Sequence, residues 1–399
     1  MTPPLQGIRI VDLSTVFSGP MAATLLADQG AEVIKVESPE GDTSRLIGHT
    51  KGDLSSSFIA ANRGKRCIAL DLKAPAARDL LLALIERADV LMENFRPGVM
   101  ARLGLADADL AARFPSLIRL SITGFGGTGP RAGDKAYDAV IQAVAGVAAS
   151  QRDPHSGEPV MLATTVCDKV TALTAAQAVT AALFARARDG QGRRVEVAML
   201  DATLAFQWPD AMYNHVFLDE PPAPMPEFGA TQRPWRCADG FIATMVPRQD
   251  EFIGLCRALG RLDLPLDPRF ASQPARYRNG PALRALLEPL MALFDKATLE
   301  AACRQHGVPM GVLNERAEVL VDPQVLHNAA LVTVPNGSAG RVRVARAAAH
   351  IDGQPQQPLT GAGRLGEHGR AVLAELGYSA EQMDKLVADG VLKLPPSDH

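Results

Sequence analysis

With 399 residues the chain exceeds one ordinary hydrophobic core, and its length favours two domains. Hydrophobic residues make up 47% and charged residues 21%, as in globular proteins with ample core, and a formal net charge of −3 gives no reason to expect a nucleic-acid or membrane partner. The five cysteines are odd in number and share no metal-type spacing, and the histidines are scattered, so neither a disulfide framework nor a metal site is expected.

No apolar run is expected to span a bilayer. Residues 1–7 lack a basic stretch followed by an apolar one, so a cytoplasmic location is expected. Residues 7–14 (Gly-Ile-Arg-Ile-Val-Asp-Leu-Ser) read as a buried strand, Gly19-Pro20 as a break, 21–29 as a helix ending at Gly30, and 31–37 as the next strand. This is the length of a parallel crossover, yet Gly-x-Gly-x-x-Gly is absent where a dinucleotide fingerprint would sit. A phosphate could meet the helix start after Gly19-Pro20, although a plain turn explains the pair equally well. Residues 38–64 are polar and turn-rich and read as a binding loop; Arg45 and Arg63 within it, and Lys65 and Arg66 just after it, are either ligand-attracting or merely solvated.

Further strands are expected at 67–73, 89–95 and 117–123, with helices opening at Pro75 and at Pro97-Gly98. The Gly-rich 124–130 lacks the ending of a P-loop. A small-residue helix over 139–149 and a polar loop over 151–157 lead to a long Ala-rich helix, about 166–188, that stops at Gly190. Asp168 lies in its first turn, three residues after Thr165, where a carboxylate that merely stabilises the helix start is the plain reading. A strand over 192–200 and a helix over 201–214 follow.

The pattern as a whole predicts an α/β fold: a large doubly wound parallel-sheet domain whose ligand sits at the carboxyl ends of its strands. Residues 1–214 supply this domain, 215–230 a Pro-rich linker, and 231–322 a smaller α+β domain with a hairpin turning at Asp239-Gly240. Residues 323–399 again carry strand and helix patterns.

These segments, in this order, resemble CoA-transferase family III, the group that includes formyl-CoA transferase and carnitine CoA-transferase. The match is carried by Phe17-Ser-Gly-Pro20, Gly30-Ala-Glu-Val-Ile-Lys-Val-Glu37, Gly41-Asp-Thr-Ser-Arg45, Asn62-Arg-Gly-Lys-Arg66, Leu70-Asp-Leu-Lys73 and Glu93-Asn-Phe-Arg-Pro-Gly98. Tyr137-Asp138, Asp168, Gly190-Gln-Gly-Arg-Arg-Val-Glu-Val197, Asp239-Gly240, Gly307-Val-Pro309 and Leu365-Gly-Glu-His368 complete it. The resemblance implies a large domain built from both chain ends, with 1–214 as its N-terminal part and 323–399 as a return linker and its C-terminal part, a small domain inserted between them, and an interlocked homodimer. It implies coenzyme A, as acyl-CoA, and a small carboxylic acid as substrates. By position it makes Asp168 the catalytic carboxylate. It places CoA contacts on Phe17, Ser18, Leu70, Lys73, Asn94, Phe95, Arg96, Arg102, Lys135 and Tyr137, with Asp138 beside the reacting group. Ser38 stands where some members carry a basic residue. The segment between Met225 and Trp235 offers only Gly229 in place of a tetraglycine loop, which argues against formyl-CoA and oxalate as the natural pair.

An aspartate suits the implied chemistry, because a carboxylate can attack a thioester and release CoA thiolate without ATP or a metal. First-turn placement is expected to keep Asp168 ionised. A racemase of the same family is the first alternative; it needs a second acid/base group, expected to be His, but residues 135–140 contain none and the nearest, His155, reads as a loop residue. A non-catalytic acyl-CoA-binding protein is the second. Arg233, Arg236 and Arg248 are candidates to pair with a dicarboxylate.

Overall fold

The computed structural model describes residues 2–153, 156–225, 233–352, 354–355 and 360–395. His155 and Gly229 lie outside them. The chain divides into two compact units, one comprising Met1–Ala149, Val160–Trp208 and His327–His399, the other Ser150–Pro159 and Pro209–Leu326. The polar loop after the 139–149 helix therefore groups with the second unit, whereas the sequence reading placed it in the 1–214 stretch.

The large unit is built on β1 (Arg9–Asp12), β2 (Glu32–Glu37), β3 (Lys65–Leu70), β4 (Val90–Glu93), β5 (Ile118–Thr123), β6 (Arg194–Ala198) and β7 (Leu392–Lys393). They lie in the order β7-β3-β2-β1-β4-β5-β6. The first six pair in parallel, with helical crossovers between them, so the winding reverses between β1 and β4. Crevices at such reversals are where open α/β sheets bind ligands. The wholly parallel sheet expected from the sequence needs one correction: β7 runs antiparallel to β3, with Leu392 opposite Leu70. No crossover unit joins these two strands, so nothing obliges them to run the same way.

One face of the sheet is covered by the helices Ser18–Ala27 and Val166–Asp189. Their contact is lined by small residues, Ala22 and Ala23 on the first and Ala172, Ala175 and Ala176 on the second, which lets the two backbones approach closely. Gly190, at φ 74, ends the long helix as its sequence predicts. By length and hydropathy (1.3) this helix alone among the described residues could cross a bilayer, contrary to expectation. Here it is the core helix of the unit. The opposite face packs against the helix Pro75–Glu86 and the C-terminal helices Gly369–Glu375 and Ala380–Ala388.

Two local expectations change. Gly19-Pro20 does not break the chain but lies inside the first turn of Ser18–Ala27, where a proline without an N–H is tolerated. Residues 38–64 are an ordered segment with a 3-10 turn (Thr43–Leu46), a short hairpin and a helix (Ser56–Asn62). The cations of this segment and of the start of β3 are committed: Arg45 to Glu37, Arg63 to Asp28, Lys65 to Asp12, and Arg66 to Glu32 and Glu375. Glu37 borders the segment, but the other carboxylates lie 34 to 309 residues from the cations they meet, so a local reading sees only a polar loop.

The second unit contains a three-stranded antiparallel sheet, Trp235–Cys237, Gly240–Thr244 and Met310–Val312. Its helices Gln249–Ala258, Gly280–Met291 and Lys296–Gln305 close around Phe252, Phe270 and Met291.

Candidate active site

Asp168 is 8% exposed, in the first turn of Val166–Asp189. Thr165 makes no capping bond with its side chain. The helix start is capped from outside: Asp138 Oδ2 accepts the Asp168 N–H at 3.0 Å. Asp138 is set for this by Gln142, one turn along the helix Asp138–Val144, whose Nε2 donates to Asp138 Oδ1 at 2.6 Å. The same amide accepts the Leu162 N–H at 2.9 Å and donates to the Thr164 carbonyl at 3.2 Å, fixing the segment that enters the Asp168 helix. The cap that the sequence assigned to Asp168 thus belongs to Asp138, and the Asp168 carboxylate is left free of that duty.

The backbone N–H of Ser18, at the start of the first helix, lies close enough to favour the anion of that carboxylate. Two helix N-termini therefore converge on one carboxylate and favour its anion. Burial and the neighbouring charge of Asp138 oppose them, and the pKa of Asp168 is pushed up to about 7. The expectation that first-turn placement alone keeps Asp168 ionised is corrected accordingly: desolvation and like charge outweigh the dipoles.

The loop that presents Ser18 is gripped by side chains at successive backbone groups. Asp12 accepts the Ser14 N–H at 2.9 Å, and Lys35 Nζ donates to the Ser14 carbonyl at 2.8 Å. The Asn94 amide bridges both the N–H and the carbonyl of Thr15, each at 2.8 Å. The carboxylate of Asp42 accepts the Val16 N–H at 3.1 Å and pairs with Lys35 at 2.9 Å, both side chains being fully buried. Burial disfavours the Asp42 anion, but Lys35 and the N–H groups of Ser44 and Val16 hold its pKa below the ordinary value. Gly19 is required by close approach: a Cβ there would lie 2.3 Å from Ser14 Cβ. None of Lys35, Asp42 or Gln142 was singled out from the sequence for this role, although a lysine inside the buried run Val-Ile-Lys-Val is a signal that could have flagged the first.

The residues expected to touch CoA are dispersed in character. Phe17 is half-buried and Ser18 buried. Leu70 is fully buried in the core opposite Leu392, so its side chain is not available to a ligand without opening that core. Asn94 spends its amide on Thr15, which makes it a support of the loop rather than a free ligand group. Lys73, Arg96, Arg102 and Lys135 are exposed and take part in no ion pair among the described residues, and Tyr137 is exposed beside Asp138. Phe95 and Arg96 line a cavity of about 220 Å³ beyond the carboxyl end of β4, together with Glu93, Met100 and Thr123. In the second unit, Arg248 pairs with Asp250 and Arg236 stacks 5.0 Å over Phe241, while Arg233 is exposed.

Comparison with known proteins places this geometry in context. Residues 5–369 match CoA-transferase family III. The chain is 34% identical over 385 residues to a succinate–glutarate CoA-transferase of Agrobacterium fabrum, covering 94% of this chain and 96% of that protein. It is 36% identical over 335 residues to an acetyl-CoA:oxalate CoA-transferase of Acetobacter aceti, covering 80% and 83%. The crystal structure of a CAIB/BAIF family protein from Brucella suis superposes with a TM-score of 0.81 at 33% identity, covering 94% of this chain and all 100% of that one. A mixed α/β fold with a large parallel-sheet core, a family match along nearly the whole chain and relatives named for CoA transfer agree: the chain belongs to CoA-transferase family III.

Proposed function

We propose that the protein moves CoA from an acyl-CoA to a free dicarboxylic acid, with Asp168 as the covalent carrier. The observation that supports this best is a buried carboxylate meeting a backbone N–H at the carboxyl end of β1. Lys73, Arg96, Arg102 and Lys135, exposed and without an ion pair among the described residues, suit the phosphates of CoA. The Asp168 carboxylate attacks the thioester carbonyl, the C–S bond breaks, and CoA leaves as thiolate. The product is a mixed anhydride. Thiolate then attacks the aspartyl carbonyl, releasing the donor acid and leaving an aspartyl-CoA thioester. The acceptor carboxylate attacks that thioester, forming a second anhydride and freeing thiolate again. Attack of thiolate on the acceptor's carbonyl yields the new acyl-CoA and restores Asp168. The Ser18 N–H stabilises the negative charge that develops during these steps.

The dicarboxylate reading draws on relatives named for succinate, glutarate and oxalate. To test it, acyl-CoA donors are incubated with a panel of mono- and dicarboxylic acids in deuterated solvent, and new thioesters are followed by mass spectrometry. New dicarboxyl-CoA species are expected. Deuterium at the α-carbon without acid exchange would instead establish a racemase, and CoA binding with neither product a binding protein.

A homodimer is part of the proposal, supported by apolar side chains left on the surface of the large unit, Leu173 and Phe184 on the Asp168 helix at 60% and 69% exposure. Light scattering in solution should give twice the chain mass.

The Asp138 charge has a testable kinetic consequence. In Asp138→Asn the amide oxygen can still accept the Asp168 N–H, while the repulsion is gone. The acid limb of the kcat/KM profile should move down in pH by about one unit. An unmoved limb would mean that Asp138 does not set the ionisation of Asp168.

A further inference from the structure

The backbone of Ser14–Val16 is held by side chains at successive groups. Val16 sits at φ 68, in the left-handed region that a β-branched residue avoids because its Cβ crowds the neighbouring carbonyl. Nothing in a run of Ser, Thr and Val asks for that conformation. It persists because the surroundings over-determine it: Asp42 takes the Val16 N–H, Asn94 takes both polar groups of Thr15, and Lys35 and Asp12 take those of Ser14. Two residues later comes Ser18, whose N–H meets Asp168.

We propose that Asp42 and Asn94 are positioning residues that clamp Val16 in its left-handed conformation and thereby preset the Ser18 N–H against the Asp168 carboxylate. This rests on the catalytic reading of Asp168 only for its kinetic consequence. The clamp itself is a statement about geometry. In solution without a clamp, a loop of these residues would sample many conformations, and each turnover would have to select the one that offers the N–H. A donor fixed in advance costs no reorganisation when charge develops. The strain at Val16 is held by a charge pair sealed from water, so it does not relax between turnovers. The other groups facing Asp168 are Asp138, Lys169 and the Cys167 thiol, and none of them contacts the clamp in the described residues.

Asn94→Ala removes both bonds to Thr15 and leaves the residues around Asp168 in place. In protein labelled with ¹³C at aspartate carboxyls, the Asp168 resonance is assigned by its loss in Asp168→Asn and titrated in each variant. Asn94→Ala should raise the Asp168 pKa by about half a unit or more, because the anion loses a fixed donor. It should lower kcat roughly tenfold and leave KM for acyl-CoA within about threefold, the mark of an interaction used only in the transition state. Asp42→Ala, which removes the acceptor of the Val16 N–H, should raise the same pKa, and it serves as the second variant if Asn94→Ala does not fold. An unchanged titration with an unchanged kcat in both variants would overturn the clamp. If Asp168→Asn keeps full transferase activity, the catalytic reading fails, but a shifted titration in Asn94→Ala still upholds the clamp, so the two outcomes are distinguishable.

Discussion

Asp168→Asn should abolish CoA transfer and at the same time yield a more stable protein above pH 7. The loss of activity follows from removing the nucleophile, and a fall of at least about a thousandfold in kcat is expected. The gain in stability follows from linkage. The folded-state pKa of Asp168, about 7, lies above the ordinary value of 3.8. Below pH 3.8 the group is protonated in both the folded and the unfolded chain, and it costs nothing. Between pH 3.8 and 7 the unfolded chain gives up its proton while the folded one keeps it, so stability falls as pH rises. Above pH 7 the full cost is present, up to about 4 kcal/mol. Asn has nearly the same shape and no charge to desolvate or repel. Urea titrations of both proteins at pH 5 and pH 8 should therefore show a larger advantage for the variant at pH 8. Equal advantages at the two pH values would mean that the raised pKa is absent. A variant that transfers CoA normally would sink the covalent mechanism.

Lys35→Met should cost the large unit about 3–5 kcal/mol, because it breaks a buried ion pair by removing one partner. Lys35 is wholly enclosed, and its ammonium donates to Asp42 at 2.9 Å and to the Ser14 carbonyl at 2.8 Å. Burial disfavours its charge, but Asp42, Asp12 and Glu37 together raise its pKa. Methionine fills much of the space and supplies none of the charge, so the Asp42 carboxylate remains buried and unpaired. The Val16 N–H then hangs on an acceptor that itself has lost its support, and activity should fall with stability. Lys35→Arg is not expected to rescue either property, since a planar guanidinium has no room in a site sealed from solvent. Urea midpoints for the three proteins test this. A loss below about 1 kcal/mol in Lys35→Met would show that the pair is not the support of the loop.

The helix of Asp168 was legible at both ends, because its Ala-rich run and the glycine at 190 are local signals. The strands of the parallel sheet were legible for the same reason. What the sequence did not disclose depends on partners far along the chain. Residues 38–64 look like a solvated loop until Arg63 is seen to meet Asp28 and Lys65, just beyond the segment, to meet Asp12. The cap on the Asp168 helix comes from Asp138, thirty residues earlier, while a local reading gave that role to Thr165 or to Asp168 itself. β7 is only two residues long and has no pattern to recognise. The raised pKa of Asp168 was invisible for a further reason: burial and the approach of a second carboxylate are properties of packing, and first-turn placement alone argues the opposite sign.

The way the large unit is assembled from separate stretches bears on how the polypeptide acquires its structure. Arg45 donates to the carbonyl of Gly363, a partner 318 residues away, and Lys393 reaches the carbonyl of Pro39, 354 residues away. The second unit, apart from the short Ser150–Pro159 loop, comes from one continuous stretch, Pro209–Leu326. Closing long loops is slow and short ones fast. The inserted unit can therefore collapse early on its own contacts, while the large sheet waits with β3 as an open edge. That edge is an aggregation hazard during refolding. Slow dilution at low protein concentration should consequently recover more native protein than rapid dilution at high concentration.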